Sequence, residues 1–337
     1  MSMRRREFTL GLLVTAGLQG LARADEGVQH EERALMGTRV RITLVEADAA
    51  RRRAAFEAAW TRMGALADQM SRYREGSVVR QLAARAGGAP LAVPAETMQV
   101  LLAAREVAAF TGGAFDASVG AYRDWHFGDD AEGHAAEIAD AQRLVEQRRL
   151  VGWRRVELNS EARTARLPTP GMALDLGGIA KLPILQAGLA EIARSGVAAA
   201  MIDGGGDVVC HGNPPGRDWR VGIRDPRTPQ RLAGVVALRD GVVASSGDYE
   251  RFFDRAGRRW HHVLDPASGW PTQGVHGVAL VARDIAAVNG LGAAIMVGGL
   301  QRGQRWLAQR PGVDALVATD DSTWLSTGMQ ARLTPAG

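Results

Sequence analysis

The stretch from Ala244 to Pro271, ASSGDYERFFDRAGRRWHHVLDPASGWP, constrains the fold more than any other part of this chain. The apolar strand Gly241-Val242-Val243-Ala244 runs into it, and Ser245-Ser246-Gly247-Asp248 reads as a turn. A hairpin turning at Asp254-Arg255-Ala256-Gly257 follows, then His-His-x-x-Asp-Pro. Turn residues therefore bracket a short polar constellation. His262 lies close to Asp265 and Pro266, two rigid turn-makers, and is expected to be a buried imidazole held in fixed geometry. A base or a ligand contact can sit at such a position. A lone buried histidine is more often a hydrogen-bonded core residue. This one belongs to a larger pattern.

The 337 residues, 46% of them apolar, are enough for one large core or two smaller ones. Residues 1–24 read as a targeting segment. Arg4-Arg5-Arg6-Glu7-Phe8 precedes an apolar run from Thr9 to Ala22, and Ala22-Arg23-Ala24 has the small-x-small form of a cleavage site. The paired arginines suit the twin-arginine translocase, and the run is too short to span a bilayer comfortably. The expected product is a periplasmic protein without a stable membrane anchor, with residues 25–34 as a linker and 35–330 as a single domain. Cleavage takes the balance from 41 basic and 37 acidic residues to 37 and 36. No basic stripe with interleaved aromatics is present, which argues against nucleic acid. The single cysteine, Cys210, excludes an intrachain disulfide framework and follows Val208-Val209 as a small hydrophobe would.

Along the chain, Met36-Gly37-Thr38 opens a strand through Val45. Phe56, Trp60, Met63, Ala67 and Met70 recur at spacings of three and four, the stripe of a helix. Ser71-Arg72-Tyr73 follows. A helix from Glu96 to Phe110 stops at Gly112-Gly113, leading into Ala114-Phe115-Asp116. Residues 121–150 read as an exposed loop with a short helix from about Asp140, in which His126 and His134 lack metal-ligand spacing. Strands near Val156-Glu157-Leu158 and Thr164 to Leu167 lead to Asp175-Leu176-Gly177-Gly178-Ile179-Ala180-Lys181. Glycines before a helix start let a backbone approach a pyrophosphate. Lys181 is the sole lysine among forty arginines, and Pro183 sits in the first helical turn. Asp203-Gly204-Gly205-Gly206-Asp207 lacks the G-x-G-x-x-G spacing and reads as a tight turn between strands. A strand from Val275 to Ala282, helices from about Asp284 and around Gln301, and a hairpin from Val313 to Leu325 complete the chain.

Together, S-S-G-D-Y-E-R-F-F, H-x-x-D-P-x-x-G-x-P, M-G-T, S-x-Y, G-G-A-F-D and D-L-G-G-I-A-K resemble the signature of the ApbE family, the FAD:protein FMN transferases. The resemblance spans roughly Leu35 to Gly299 and implies an α+β fold. That fold is two-lobed and T-fold-like, with antiparallel sheets, flanking helices and a flavin site between the lobes. It implies FAD as FMN donor and as acceptor a flavoprotein carrying D-G-x-(S/T)-G-A-(S/T). By the same resemblance Met36, Tyr73, Ala114, Phe115, Asp116, Asp175, Gly177, Lys181, Pro183 and Val263 contact FAD. An aromatic ring and a thioether suit a flat ring system, and a carboxylate can accept from ribose or ring N–H groups. His262 would take the acceptor hydroxyl proton, with Asp248 or Asp265 orienting the site. Twin-arginine export suits members that serve nitrous-oxide respiration. The family holds Mg²⁺ with a backbone carbonyl, here that of Ala180, and with Asp and Thr in D-x-x-x-T. This chain has Asn289 and Ala293 at those two places, which weakens the expected Mg²⁺ site. A non-catalytic FAD-binding carrier or assembly factor is therefore the alternative. A serine hydrolase using Ser245 or Ser246 with His262 fits poorly, because the G-x-S-x-G elbow is missing.

Overall fold

The computed structural model describes residues 27–127 and 135–336, so the targeting segment 1–24 and His134 lie outside the described residues. Two strands open the fold, β1 (Val28–Leu35) and β2 (Thr38–Val45), paired antiparallel across the Met36-Gly37 turn. Most of the stretch expected to be a linker, 25–34, is thus an edge strand. Its charged residues (His30, Glu31, Glu32, Arg33) hide the signal, because an edge strand packs on one side only and tolerates polar side chains. In β2, Val40, Ile42 and Leu44 are fully buried at the strand period of two.

Helix α1 (Ala49–Met70) starts at Asp48, whose carboxylate accepts from Arg51 N–H, and buries Phe56, Trp60, Met63 and Met70 as the stripe predicts. Helix α2 (Val78–Ala84), the short strand β3 (Leu91–Ala92) and helix α3 (Ala95–Phe110) follow, then a 3₁₀ turn at Ala117–Ala121. The segment expected as an exposed loop instead buries Tyr122 and Trp125. They join a cluster with Phe127, Trp260 and Trp270, in which the Trp125 ring centroid lies 5.5–5.6 Å from those three and Trp260 lies 5.8 Å from Trp270. Helix α4 (Ala141–Arg148) is capped by Asp140, as expected, and strands β4 (Glu157–Asn159) and β5 (Thr164–Arg166) make a small sheet with β3.

The second half supplies α5 (Lys181–Arg194), β6 (Ala199–Asp203), β7 (Val208–His211), β8 (Trp219–Asp225) and β9 (Thr228–Leu238). Strands β10 (Gly241–Gly247), β11 (Phe252–Arg255), β12 (Arg258–His261) and β13 (Val275–Ala282) come next. The chain ends with α6 (Ile285–Val288), α7 (Leu291–Leu307), β14 (Asp314–Thr319), β15 (Thr323–Leu325) and α8 (Thr327–Arg332). The Ser245-Ser246-Gly247 segment expected as a turn is the end of β10, because its backbone pairs residue by residue with Gly277–Ala279 of β13.

Eight strands build one antiparallel sheet in the order β1-β2-β6-β7-β10-β13-β14-β15. Helices α1, α5 and α7 cover one face, and the β8–β9 hairpin packs Trp219, Val221, Ile223, Val236 and Leu238 against the other. That double cover explains why Val278-Ala279-Leu280-Val281 is a continuous apolar run instead of an alternating one. Antiparallel sheets with flanking helices are what the sequence leads one to expect. The loops at one end of the large sheet, together with the β11–β12 hairpin, carry the candidate site.

Candidate functional site

The two adjacent histidines divide the roles expected of one. His261 is the buried imidazole. Its Nε2–H donates to the Thr272 carbonyl at 2.9 Å, and its Nδ1 faces the Val263 N–H at 3.4 Å, so it is a satisfied core group. His262, expected to be buried, is only half-buried and turns the other way. Its backbone N–H donates to the Arg251 carbonyl at 3.1 Å and its Nδ1 lies 3.3 Å from the same oxygen. A carbonyl can only accept, so Nδ1 carries the proton and Nε2 keeps its lone pair. Burial, and after it the Arg251 guanidinium, push the imidazole down to about 3. His262 is therefore neutral, with an accepting nitrogen, across the physiological range.

Around it lies a charged network that reaches most of the motifs. Arg251 Nη1 reaches the Tyr73 hydroxyl at 3.5 Å, and Tyr73 is 40% exposed, a large aromatic left open to a ligand. Arg72 lies over the Tyr73 ring and binds Asp175 at 2.7 Å. Asp175 also accepts from the Gly177 N–H at 2.8 Å. Burial alone would raise the Asp175 carboxyl, but Arg72 and that N–H outweigh it and hold the group below the usual carboxylate range. Lys181, at the start of α5, pairs with Asp207 at 3.2 Å, which gives the lone lysine a carboxylate partner, while Asp207 also accepts from Ser245 N–H at 2.8 Å. The glycine turn between β6 and β7 packs Gly205, at φ +77°, against Thr38, so the Met36 turn is drawn to the same end of the sheet. Met36 itself has φ +54°, a left-handed value uncommon for a non-glycine residue.

Other expected residues stand where the sequence suggests but do different work. Asp265 caps its own turn, accepting from Ala267 N–H and the Ser268 hydroxyl, each at 2.9 Å. Asp248 is buried and pairs with His276 at 2.7 Å and Arg259 at 3.4 Å. Neither carboxylate bonds to His262, so the orienting group is the Arg251 carbonyl instead. The Asp116 carboxylate accepts from Ser118 N–H (2.8 Å), the Ser118 hydroxyl (2.6 Å) and Trp153 N–H (2.9 Å). These bonds fix the loop that presents Ala114 and Phe115 and leave the carboxylate little capacity for a ribose. Val263 is half-buried beside His262, and Pro183 lies in the first turn of α5 as expected. The sequence does not single out Arg72 and Arg251, because forty arginines give no contrast. Their only signal is position, one beside Tyr73 and one within D-Y-E-R-F-F.

The positions implied for a metal do converge. A Cβ built on Gly178 would lie 3.3 Å from the Phe115 ring and 4.0 Å from the Ala293 Cβ, and Asn289 Nδ2 donates to the Ile179 carbonyl at 2.8 Å. The donor set does not suit Mg²⁺. Ala293 offers no side-chain oxygen, and Asn289 offers only a neutral amide whose N–H faces the Ile179 carbonyl. Among the described residues, no three His, Cys, Asp or Glu side chains come together to hold a cation.

A profile of the ApbE family matches residues 36–317. The chain belongs to the ApbE family. The FAD:protein FMN transferase of Treponema pallidum is 33% identical over 305 residues, covering 85% of this chain and 83% of that protein. That of Rhodobacter capsulatus is 34% identical over 255 residues, 74% of this chain and 48% of that longer protein. Among solved structures, the ApbE protein of Thermotoga maritima superposes with TM-score 0.83 at 27% identity, over 91% of this chain and 99% of that one. The apo flavinyl transferase ApbE of Pseudomonas stutzeri superposes at 0.78 with 25% identity, over 92% and 98%.

Proposed function

We propose that this chain is an FAD:protein FMN transferase, exported to the periplasm, that links FMN through a phosphoester to a Ser or Thr of a partner flavoprotein. The observation that carries this reading is the half-buried, neutral His262, with an accepting Nε2, beside the Tyr73–Arg251–Arg72–Asp175 network in a chain of this family. In the reaction the acceptor hydroxyl oxygen attacks the phosphorus on the FMN side of the FAD diphosphate. The bond to the other phosphate breaks, AMP leaves, and the hydroxyl proton passes to His262 Nε2. Such a transfer needs alignment and positive charge more than covalent help from the protein. Arg72, Arg251 and Lys181 supply the charge, and exposed Tyr73 offers a surface for the flavin ring or adenine.

The test mixes the purified chain with FAD and an acceptor domain carrying D-G-x-(S/T)-G-A-(S/T), and reads covalent flavin fluorescence on a denaturing gel. Labelling that disappears in acceptor Ser/Thr→Ala variants supports the proposal, and FAD binding without labelling removes it. A second reading, a non-catalytic FAD-binding carrier or assembly factor, draws on Asn289 and Ala293 at the metal positions, and that same result would favour it. Export by the twin-arginine route rests on Arg5-Arg6 and the apolar run after them. Among the described residues no helix is long and apolar enough to cross a membrane. Replacing Arg5 and Arg6 by Lys in a reporter fusion should keep the protein inside the cell if the route is right.

A further inference from the structure

We infer that in this chain the Asn289 amide stands in the place of a divalent cation, so that the dinucleotide is held without one and the positive charge at its diphosphate comes from Arg72, Arg251 and Lys181. The inference rests on the flavin-nucleotide reading of the site. Asn289 is buried at the end of α6, and its Nδ2–H reaches across to the main-chain oxygen of Ile179, at the mouth of α5. This neutral hydrogen bond ties together the two segments, 179–181 and 289–293, that a bridging cation would otherwise link. It needs no counter-charge and no hydration shell. An aspartate at 289 would set a carboxylate against the same carbonyl, acceptor against acceptor, and would be comfortable only with a cation between them. Ala293, whose Cβ lies near Gly178, completes the change, because its methyl group supplies no oxygen. The cationic side chains are already in place. Lys181 follows Ile179 by two residues and pairs with Asp207, Arg72 is fixed on Asp175, and the Arg251 guanidinium reaches the Tyr73 hydroxyl.

The experiment compares the wild-type chain with Asn289→Asp/Ala293→Thr in two measurements: thermal unfolding with and without Mg²⁺, and FAD titration by flavin fluorescence in Mg²⁺ or in chelator. The wild-type Tm should not move with Mg²⁺. The double variant should melt a few degrees lower than wild type in chelator and recover in Mg²⁺. Wild-type FAD affinity should agree within about twofold between the two buffers, against a gain of about tenfold or more with Mg²⁺ in the variant. A wild-type Tm raised by Mg²⁺, or wild-type FAD binding tightened about tenfold by it, overturns the inference. A variant that responds no more than wild type overturns the placement of Asn289 at the cation position. Should the double variant fail to fold, the wild-type titration decides alone. Absence of FAD binding would remove the flavin reading, while the Tm comparison, which needs no FAD, would still judge the role of Asn289.

Discussion

At the scale of single residues, the His261–His262 pair shows how little separates a structural imidazole from a reactive one. They are neighbours on β12 and the turn after it, so the strand alternation sends one ring into the core and the other towards Arg251. Substituting His262→Ala should lower flavin transfer by roughly 10²–10⁴-fold, the usual contribution of a positioned base, and leave FAD affinity nearly unchanged. Equal loss of both in the gel assay and the fluorescence titration would mean that the residue binds and does not transfer. His262 also carries a pH signature. Its folded value of about 3 lies below the 6.5 of a free imidazole, so between those values the unfolded chain binds a proton that the folded chain refuses. The stabilisation is complete above about pH 6.5 and is lost as pH falls towards 3. Denaturation midpoints measured across that window should fall less steeply in His262→Gln than in wild type. A base pushed so far down is weak, and part of the push comes from Arg251 and Lys181. An anionic dinucleotide neutralises them, so the His262 resonance followed by NMR should titrate at higher pH when FAD is bound.

At the scale of elements, the helix stripe of α1 and the glycine before the site work together. Gly188 of α5 faces Met63, and a Cβ added there would lie 2.7 Å from the Met63 Cγ and 2.8 Å from its sulfur. Close approach of α1 and α5 is what sets Lys181 and the 177–181 turn beside the end of α1, where Arg72 and Tyr73 begin. Gly188→Ala should destabilise the fold by about 1–3 kcal/mol through overpacking, read as a lower urea midpoint at unchanged slope. Met63→Ala combined with it should recover part of that loss, because the two changes share one contact. Simple additivity in the double-mutant cycle would show that the helices do not meet there. Periodicity revealed α1, whose stripe packs one clear face; the glycine stop after Phe110 revealed α3, Asp140 the start of α4, and the unbroken apolar run β13, which is covered on both faces. It did not reveal β1, where a single pairing edge and charged side chains leave no apolar rhythm.

At the scale of the whole molecule, β1 extends the large sheet to eight strands, and Glu31 accepts from the Trp60 indole N–H at 2.9 Å, joining the sheet edge to α1. A chain truncated to begin at Gly27 should melt where the full chain does, whereas one beginning at Met36 should melt at clearly lower temperature. Equal melting of both in calorimetry would return residues 28–35 to the status of a linker. The sequence by itself determined the family fold, through motifs whose residues stand at fixed spacings, and the helix stripe of α1 and the glycine turns, since turn chemistry and period are local properties of the chain. It also showed the loss of a charge at Asn289 and of a side-chain oxygen at Ala293, because a missing functional group is visible without coordinates. Tertiary structure decided which acids were free. Asp116, Asp248 and Asp265 all look available in one dimension, yet each is taken by protein donors brought from Ser118 and Trp153, from His276 and Arg259, or from its own turn. Only folding brings Arg72 to Asp175 across 103 residues and Arg251 to Tyr73 across 178, and it turns the amide of Asn289 towards the Ile179 carbonyl. Charge pairing and hydrogen bonding depend on distance in space, and separation along the chain does not report it.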